Sequence, residues 1–189
     1  MPKKNISGII LSGGKSSRMR TDKGLIQYKG QCLIEFPIKM IKSYCNEVLI
    51  SANSDEYKIL GYPVIYDEIK NIGPIGGVYS SIMKAKNERV IITACDIPEI
   101  DLWILKSLCK LSSQADIVYL TLPSGNIQSL PLVLSKKTFD IIESQIQHKH
   151  YALHELISEC VSSSEFISQK VIIEKEPINM NSFNDLNHD

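Results

Sequence analysis

The residues with the most chemical potential are Ser12-Gly13-Gly14-Lys15-Ser16-Ser17-Arg18-Met19, directly after an apolar run of strand length at 6–11. Consecutive glycines after a strand let backbone N–H groups approach an anion, because no Cβ holds the chain away. In an open α/β sheet such a loop lies outside the carboxyl ends of the strands, where ligands collect. Lys15, Arg18 and Lys23 add three cations within nine positions, the charge that phosphate recognition uses. Two common phosphate loops do not fit. A dinucleotide G-x-G-x-x-G fails because no glycine follows Gly14 until Gly24. A Walker A loop fails because the glycine required five positions before Gly14 is Ile9, inside the strand.

A second feature belongs to the same edge. Asp96 ends the apolar stretch Val90-Ile91-Ile92-Thr93-Ala94-Cys95 and is followed by Ile97-Pro98, so its carboxylate faces the crevice of the glycine loop. Mg²⁺ commonly takes one or two carboxylates and completes its shell with substrate phosphates and water. Asp101, just before Leu102, is better placed than Asp96 to cap the following helix. His148, His150 and His154 cluster, and the last two are at the i, i+4 spacing of zinc ligands. No third ligand accompanies them, so they read as solvated helix-end residues. Trp103 reads as a packing residue at a helix start.

The elements that must position these groups alternate. Strand-length apolar runs at 6–11, 48–51, 64–66, 90–93 and 117–120 are separated mostly by helical patterns, which predicts a parallel sheet covered by helices. Leu33, Phe36, Met40, Ile41 and Tyr44 share one helical face; Ile75, Val78, Tyr79, Ile82 and Met83 share another; Leu102, Leu105, Leu108 and Cys109 share a third. After Leu122 the rhythm changes. Pro123-Ser124-Gly125-Asn126 is turn chemistry, 132–134 is a short apolar run, helical patterns cover 139–146 and 153–160, and 171–173 is a further strand candidate. We expect a single domain over 1–189, in which 123–189 elaborates the part built by 1–122.

Composition bounds the partners. The 189 residues are 43% apolar, and 21 Lys plus Arg balance 21 Asp plus Glu. That is one compact core with no global electrostatic pull toward nucleic acid or a membrane. Five cysteines at scattered positions resemble neither a disulfide framework nor a zinc site, and Cys45, Cys109 and Cys160 end apolar-periodic stretches as small core residues. The amino-terminal apolar run is too short for a signal peptide or a membrane span. A cytoplasmic protein is expected.

The motifs, in order, resemble the molybdenum cofactor guanylyltransferase (MobA) family. They are Leu11 to Met19, Asp22-Lys23-Gly24-Leu25, Gly73-Pro74-Ile75-Gly76-Gly77, Cys95-Asp96-Ile97-Pro98 and Ile178-Asn179-Met180-Asn181. Sugar-phosphate nucleotidyltransferases share the glycine loop but usually carry Pro-Lys where this chain has Asp22-Lys23. The resemblance implies an α/β, single-domain, three-layer Rossmann-like nucleotidyltransferase fold with a mostly parallel sheet. It implies GTP and molybdopterin (Mo-molybdopterin) as substrates, Mg²⁺ held by Asp96, and molybdoenzymes or cofactor-delivery proteins as recipients of the product. By matched position, Leu11, Ser12, Gly13, Gly14, Lys23, Ser51, Asn53, Asp67 and Asp96 form the nucleotide site. Lys15, Arg18, Lys23 and Asp96 serve catalysis, and Gln128 and Asn181 face the acceptor. The chain departs from the pattern at Arg20, where the family has Gly; at Ser51-Ala52-Asn53, where it has N-A-N; and at Leu130-Pro131, where it has Gln-Pro or His-Pro.

The implied reaction is attack of a molybdopterin phosphate oxygen on the α-phosphorus of GTP with expulsion of pyrophosphate. A phosphate monoester is already largely ionised near neutral pH, its second pKa being about 6, so no general base is required. Catalysis then rests on positioning and on neutralising charge. Two alternatives stay open: a same-fold enzyme using CTP or another phosphorylated acceptor, and a non-catalytic nucleotide- or cofactor-binding module, against which Lys23 and Asp96 argue.

Overall fold

A computed structural model describes residues 4–13, 22–175 and 180. In chain order the elements begin with β1 (Lys4–Leu11), β2 (Gln27–Tyr28), β3 (Gln31–Cys32), α1 (Glu35–Lys42), β4 (Cys45–Ser51), β5 (Val64–Ile65) and α2 (Pro74–Ile82). They continue with β6 (Arg89–Ala94), α3 (Leu102–Leu111), β7 (Ile117–Thr121), β8 (Ile127–Ser135), α4 (Phe139–Gln147), α5 (Leu153–Ser162) and β9 (Ser168–Ile172). Seven strands form one sheet in the order β5-β4-β1-β6-β8-β7-β9, and β2 and β3 form a separate hairpin. Only the pairs that β8 makes with β6 and β7 are antiparallel within the large sheet.

Three layers follow from the alternation of side chains along each strand. Ile6 and Ile10 of β1 join Ile38 and Ile41 of α1 and Leu105 and Leu108 of α3 on one face. Ile9 and Leu11 turn to the other, with Val78 and Ile82 of α2, Ile142 of α4 and Leu156 of α5. A strand covered on both sides reads as an unbroken apolar run, as in Val90, Ile91 and Ile92, all fully buried. Cys45, Cys109 and Cys160 are buried thiols within these layers, as expected. Among the described residues no helix is long and apolar enough to cross a membrane.

The structure corrects several expectations. The core side of α1 is Pro37, Ile38 and Ile41, whereas Leu33 and Phe36 pack with Tyr28 and Met180 in a cluster of their own. Two apolar stripes exist on this segment, and period alone does not say which meets the sheet. Pro37 is tolerated because a first-turn N–H has no intrahelical partner to lose. Leu102 and Trp103 are 59% and 47% exposed; Trp103 is therefore no core residue. Met83 is exposed for the same reason: helical period fixes a direction around an axis and not how far the next layer extends along it. His150 lies between α4 and α5 and shares no helix with His154, and all three clustered histidines are exposed. From the 123–189 segment, β8 inserts between β6 and β7.

That insertion is tied down by Asp116, only 3% exposed. Its carboxylate accepts hydrogen bonds from Ser135 Oγ and the Ile167 backbone, both at 3.2 Å, and lies 3.5 Å from Arg89 and Lys137. Burial alone raises a carboxyl pKa, but the Ile167 N–H, Lys137, Ser135 and Arg89 outweigh it and hold Asp116 below the ordinary carboxylate range. A folded-state pKa below the unfolded one gives stability that is present above about pH 4 and lost as pH falls through the folded value. Asp116→Asn should therefore cost about 1–3 kcal/mol at neutral pH, with the gap to wild type closing below pH ~4. Chemical denaturation across pH checks this, and a pH-independent gap would exclude Asp116 as the titrating group.

Candidate active site

β1 and β6 run parallel with Leu11 beside Ala94, so the segments that leave them emerge at one edge. They are joined there: Cys95 N–H donates to Leu11 O at 3.0 Å, and Ser12 N–H donates to Ser51 O, at the end of β4, at 2.7 Å. A 3₁₀ turn, Lys23–Leu25, brings Lys23 Nζ to 2.8 Å from Asp96 Oδ2, with 19% and 24% of the two side chains exposed. Met180 N–H donates to Asp96 O at 2.8 Å, and the Met180 side chain enters the cluster with Tyr28 and Leu33. Met180 is thus pinned at the residue that the sequence nominates for the metal.

Beside this pair a cleft of about 740 Å³ opens at the carboxyl ends of β1, β4 and β5, within the size range of small-molecule sites. Leu11, Ser12, Gly13 and Asp22 form one wall, Ser51, Ala52 and Asn53 the next, and Asp67, Lys70, Asn71, Gly73, Pro74 and Gly77 the third. The third wall needs its glycines. Gly73 has φ +73° immediately before α2, and a Cβ on Gly77 would lie 2.4 Å from Ser51 Oγ and 3.1 Å from Leu11. Pro74 opens α2, where its fixed φ suits the first helical position, and the amino end of that helix is favourable to an anion.

Asn53 and Asp67 hold each other. Asn53 Nδ2 donates to Asp67 Oδ2 at 2.7 Å, and Asp67 N–H donates to Asn53 Oδ1 at 3.1 Å. This two-armed bond fixes an acceptor carboxylate in the cleft. Cys95, beside Asp96, is a buried thiol that burial pushes up to about 12, far from the thiolate a nucleophile needs.

Of the residues nominated from sequence, Leu11, Ser12, Gly13, Ser51, Asn53 and Asp67 come together in the cleft, and Lys23 and Asp96 meet beside it. Gln128 lies on β8 opposite Leu120, toward the same edge, with its side chain turned to Leu130 O at 3.4 Å; it does not line the cleft. Gly14, Lys15, Arg18 and Asn181 lie outside the described residues. Sequence reasoning gave no site role to Asp22, Gly73, Pro74 or Gly77, although each stands in a motif quoted above. Lys70 and Asn71 carry no pattern that would have found them; they are exposed loop residues.

Residues 8–163 match the model of the MobA-like NTP transferase domain. The chain is 33% identical over 142 residues to the probable molybdenum cofactor guanylyltransferase of Carboxydothermus hydrogenoformans, covering 75% of this chain and 72% of that one. It is 31% identical over 171 residues to the protein of the same name from Clostridium perfringens, covering 89% and 84%. The crystal structure of molybdopterin-guanine dinucleotide biosynthesis protein A from Archaeoglobus fulgidus superimposes with a TM-score of 0.74 at 16% identity, covering 95% of this chain and 94% of that one. At that identity the last likeness establishes the fold, and the first three establish more: the chain belongs to the MobA-like NTP transferase family.

Proposed function

We propose that the protein transfers GMP from GTP to the phosphate of molybdopterin, releasing pyrophosphate and forming the guanine dinucleotide cofactor. Family membership supports nucleotidyl transfer, and the names of the relatives support guanylyl transfer to this acceptor. The observation that carries the reading is the contact of Lys23 with Asp96 at 2.8 Å beside a nucleotide-sized cleft. One cation and one carboxylate at the edge of β1 and β6 supply the two charges that a triphosphate and its metal require. In this reading residues 1–122 serve the nucleotide and 123–189 the acceptor, with Gln128 and Asn181 on the acceptor side.

The donor set fits Mg²⁺. No group of three His, Cys, Asp or Glu converges among the described residues, so those residues form no closed cage. A lone carboxylate suits an ion whose shell is completed by phosphate oxygens and water. Lys23 engages Oδ2 of Asp96, and Oδ1 is the oxygen left for the metal. Bound there, Mg²⁺ would neutralise charge developing on the phosphates. Lys23 would hold the triphosphate, and the opening turn of α2 would add its positive end.

Pyrophosphate release from GTP, dependent on added molybdopterin, tests the proposal; release that ignores molybdopterin would overturn the acceptor assignment. Lys23→Ala should reduce transfer by about 10²-fold, while Lys4→Ala, at the opposite end of β1, leaves it within about twofold, because charges distant from the site are screened. Equal losses in steady-state assays of the two variants would show that net charge alone matters.

A further inference from the structure

Tyr57 sits in a short 3₁₀ segment, Asp55–Leu60, and is fully buried. It does not line the cleft, yet its hydroxyl lies between two residues that do. Ser12 Oγ and Asp22 Oδ1 are each 2.5 Å from Tyr57 Oη. The direction of the chain follows from donor capacity. A carboxylate only accepts, so the phenolic proton goes to Asp22, and the phenol oxygen accepts from Ser12. Phenylalanine would fill the same volume without a polar atom to satisfy, so this buried hydroxyl is retained at a cost unless it orders its partners. Burial first, and then the bond to Asp22, raise the Tyr57 pKa, so it remains a donor throughout the range in which the protein is folded.

The surroundings leave this cluster no slack. A Cβ on Gly24 would fall 2.4 Å from Ser12 Oγ and 2.6 Å from Tyr57 Oη. Ser12 is held from behind by Ser51 O, and the turn itself is closed by Leu25 N–H on Asp22 O at 3.0 Å. Asp22 is bonded in sequence to Lys23, whose ammonium reaches Asp96. Where Lys23 points therefore depends on where Asp22 is tethered, and its carboxylate is tethered by the Tyr57 hydroxyl. We propose that Tyr57 is a positioning residue for nucleotide binding and transfer: it clamps the Asp22-Lys23 turn to the strand-end loop at Ser12 and so aims Lys23 at the triphosphate. This rests on the nucleotide reading given above and adds a residue that touches neither substrate.

The test is a double-mutant cycle with Tyr57→Phe and Asp22→Ala, read as the Kd of GTP with Mg²⁺ by calorimetry and as kcat for pyrophosphate release. Tyr57→Phe should weaken GTP about tenfold, one lost hydrogen bond to a charged group, and lower kcat by a similar factor. Combined with Asp22→Ala, which removes the acceptor, it should cost little more than Asp22→Ala alone, since both cut the same tether. Gly24→Ala, which drives a methyl group into the same hydroxyls, should reproduce the loss without altering Tyr57. Tyr119→Phe, on β7, should change neither readout. Additive losses, or a lowered melting temperature with GTP affinity and kcat unchanged, would reduce Tyr57 to a packing residue. If wild type binds GTP without turnover on molybdopterin, the acceptor assignment fails and the Tyr57 proposal is still decided by the GTP affinities. If wild type binds no nucleotide, both fall.

Discussion

Asp96→Asn is expected to abolish transfer, with a loss of about 10²–10³-fold in kcat, at a melting temperature close to that of wild type. The substitution keeps shape and removes charge. The carboxylate is one-quarter exposed and paired with Lys23, and an ion pair at such a site contributes about 0–1 kcal/mol to folding, so the fold survives. The main-chain bond from Met180 to Asp96 O is untouched by the change. What would be lost is the proposed Mg²⁺ ligand, together with the carboxylate paired with Lys23. Single-turnover measurements over a Mg²⁺ titration should show the rate collapse and the metal dependence move to higher concentration. Wild-type turnover with unaltered Mg²⁺ dependence would remove Asp96 from the metal site.

GTP should be preferred over ATP and CTP by up to about 10⁴-fold, the discrimination open to a site built to hydrogen-bond its substrate. Guanine offers an acceptor at O6 and donors at N1 and N2, and adenine inverts the first two, so the wrong base leaves desolvated groups unpaired. The cleft offers groups for such reading. Asp67 is an acceptor fixed by its two bonds to Asn53, and Asp22 and Lys70 line the same cleft as a further acceptor and a donor. Ser12 N–H is already taken by Ser51 O, which leaves Gly13 as the nearest backbone donor after β1. Asn53, expected in the nucleotide site, acts in this arrangement by holding Asp67. Competition between nucleotides for molybdopterin-dependent transfer measures the preference, and a preference for CTP would assign the protein to cytidylyl transfer with its fold and its Lys23–Asp96 pair unchanged.

How much of this was legible beforehand differs by residue. The strands β1, β4 and β6 were readable because both of their faces are buried, and a doubly buried strand writes itself as an unbroken apolar run. β8 was read as only 132–134 because its first half, 127–130, is half-buried and chemically mixed. The hairpin of β2 and β3 was missed: each strand is two residues long, below the length at which alternation can be counted. Its turn, Lys29 and Gly30 with positive φ, was the one available signal.

At the site, the sequence by itself determined which groups exist and which are close along the chain: the glycine loop, Lys23 shortly after it, the Gly-Pro motif that opens α2. It also determined that Asp96 ends a buried strand, and hence the edge at which it emerges. Tertiary structure alone decided that Lys23 meets Asp96 across 73 positions, that Asn53 is spent on Asp67, and that Asp22 hangs from Tyr57. Local sequence encodes dihedral preference and burial period, whereas a side-chain hydrogen bond depends on the relative position of separate elements to within a few tenths of an ångström. That position is set by how the whole core packs, so a tyrosine in an unpatterned segment could become the clamp of the phosphate loop with nothing in its neighbours to announce it.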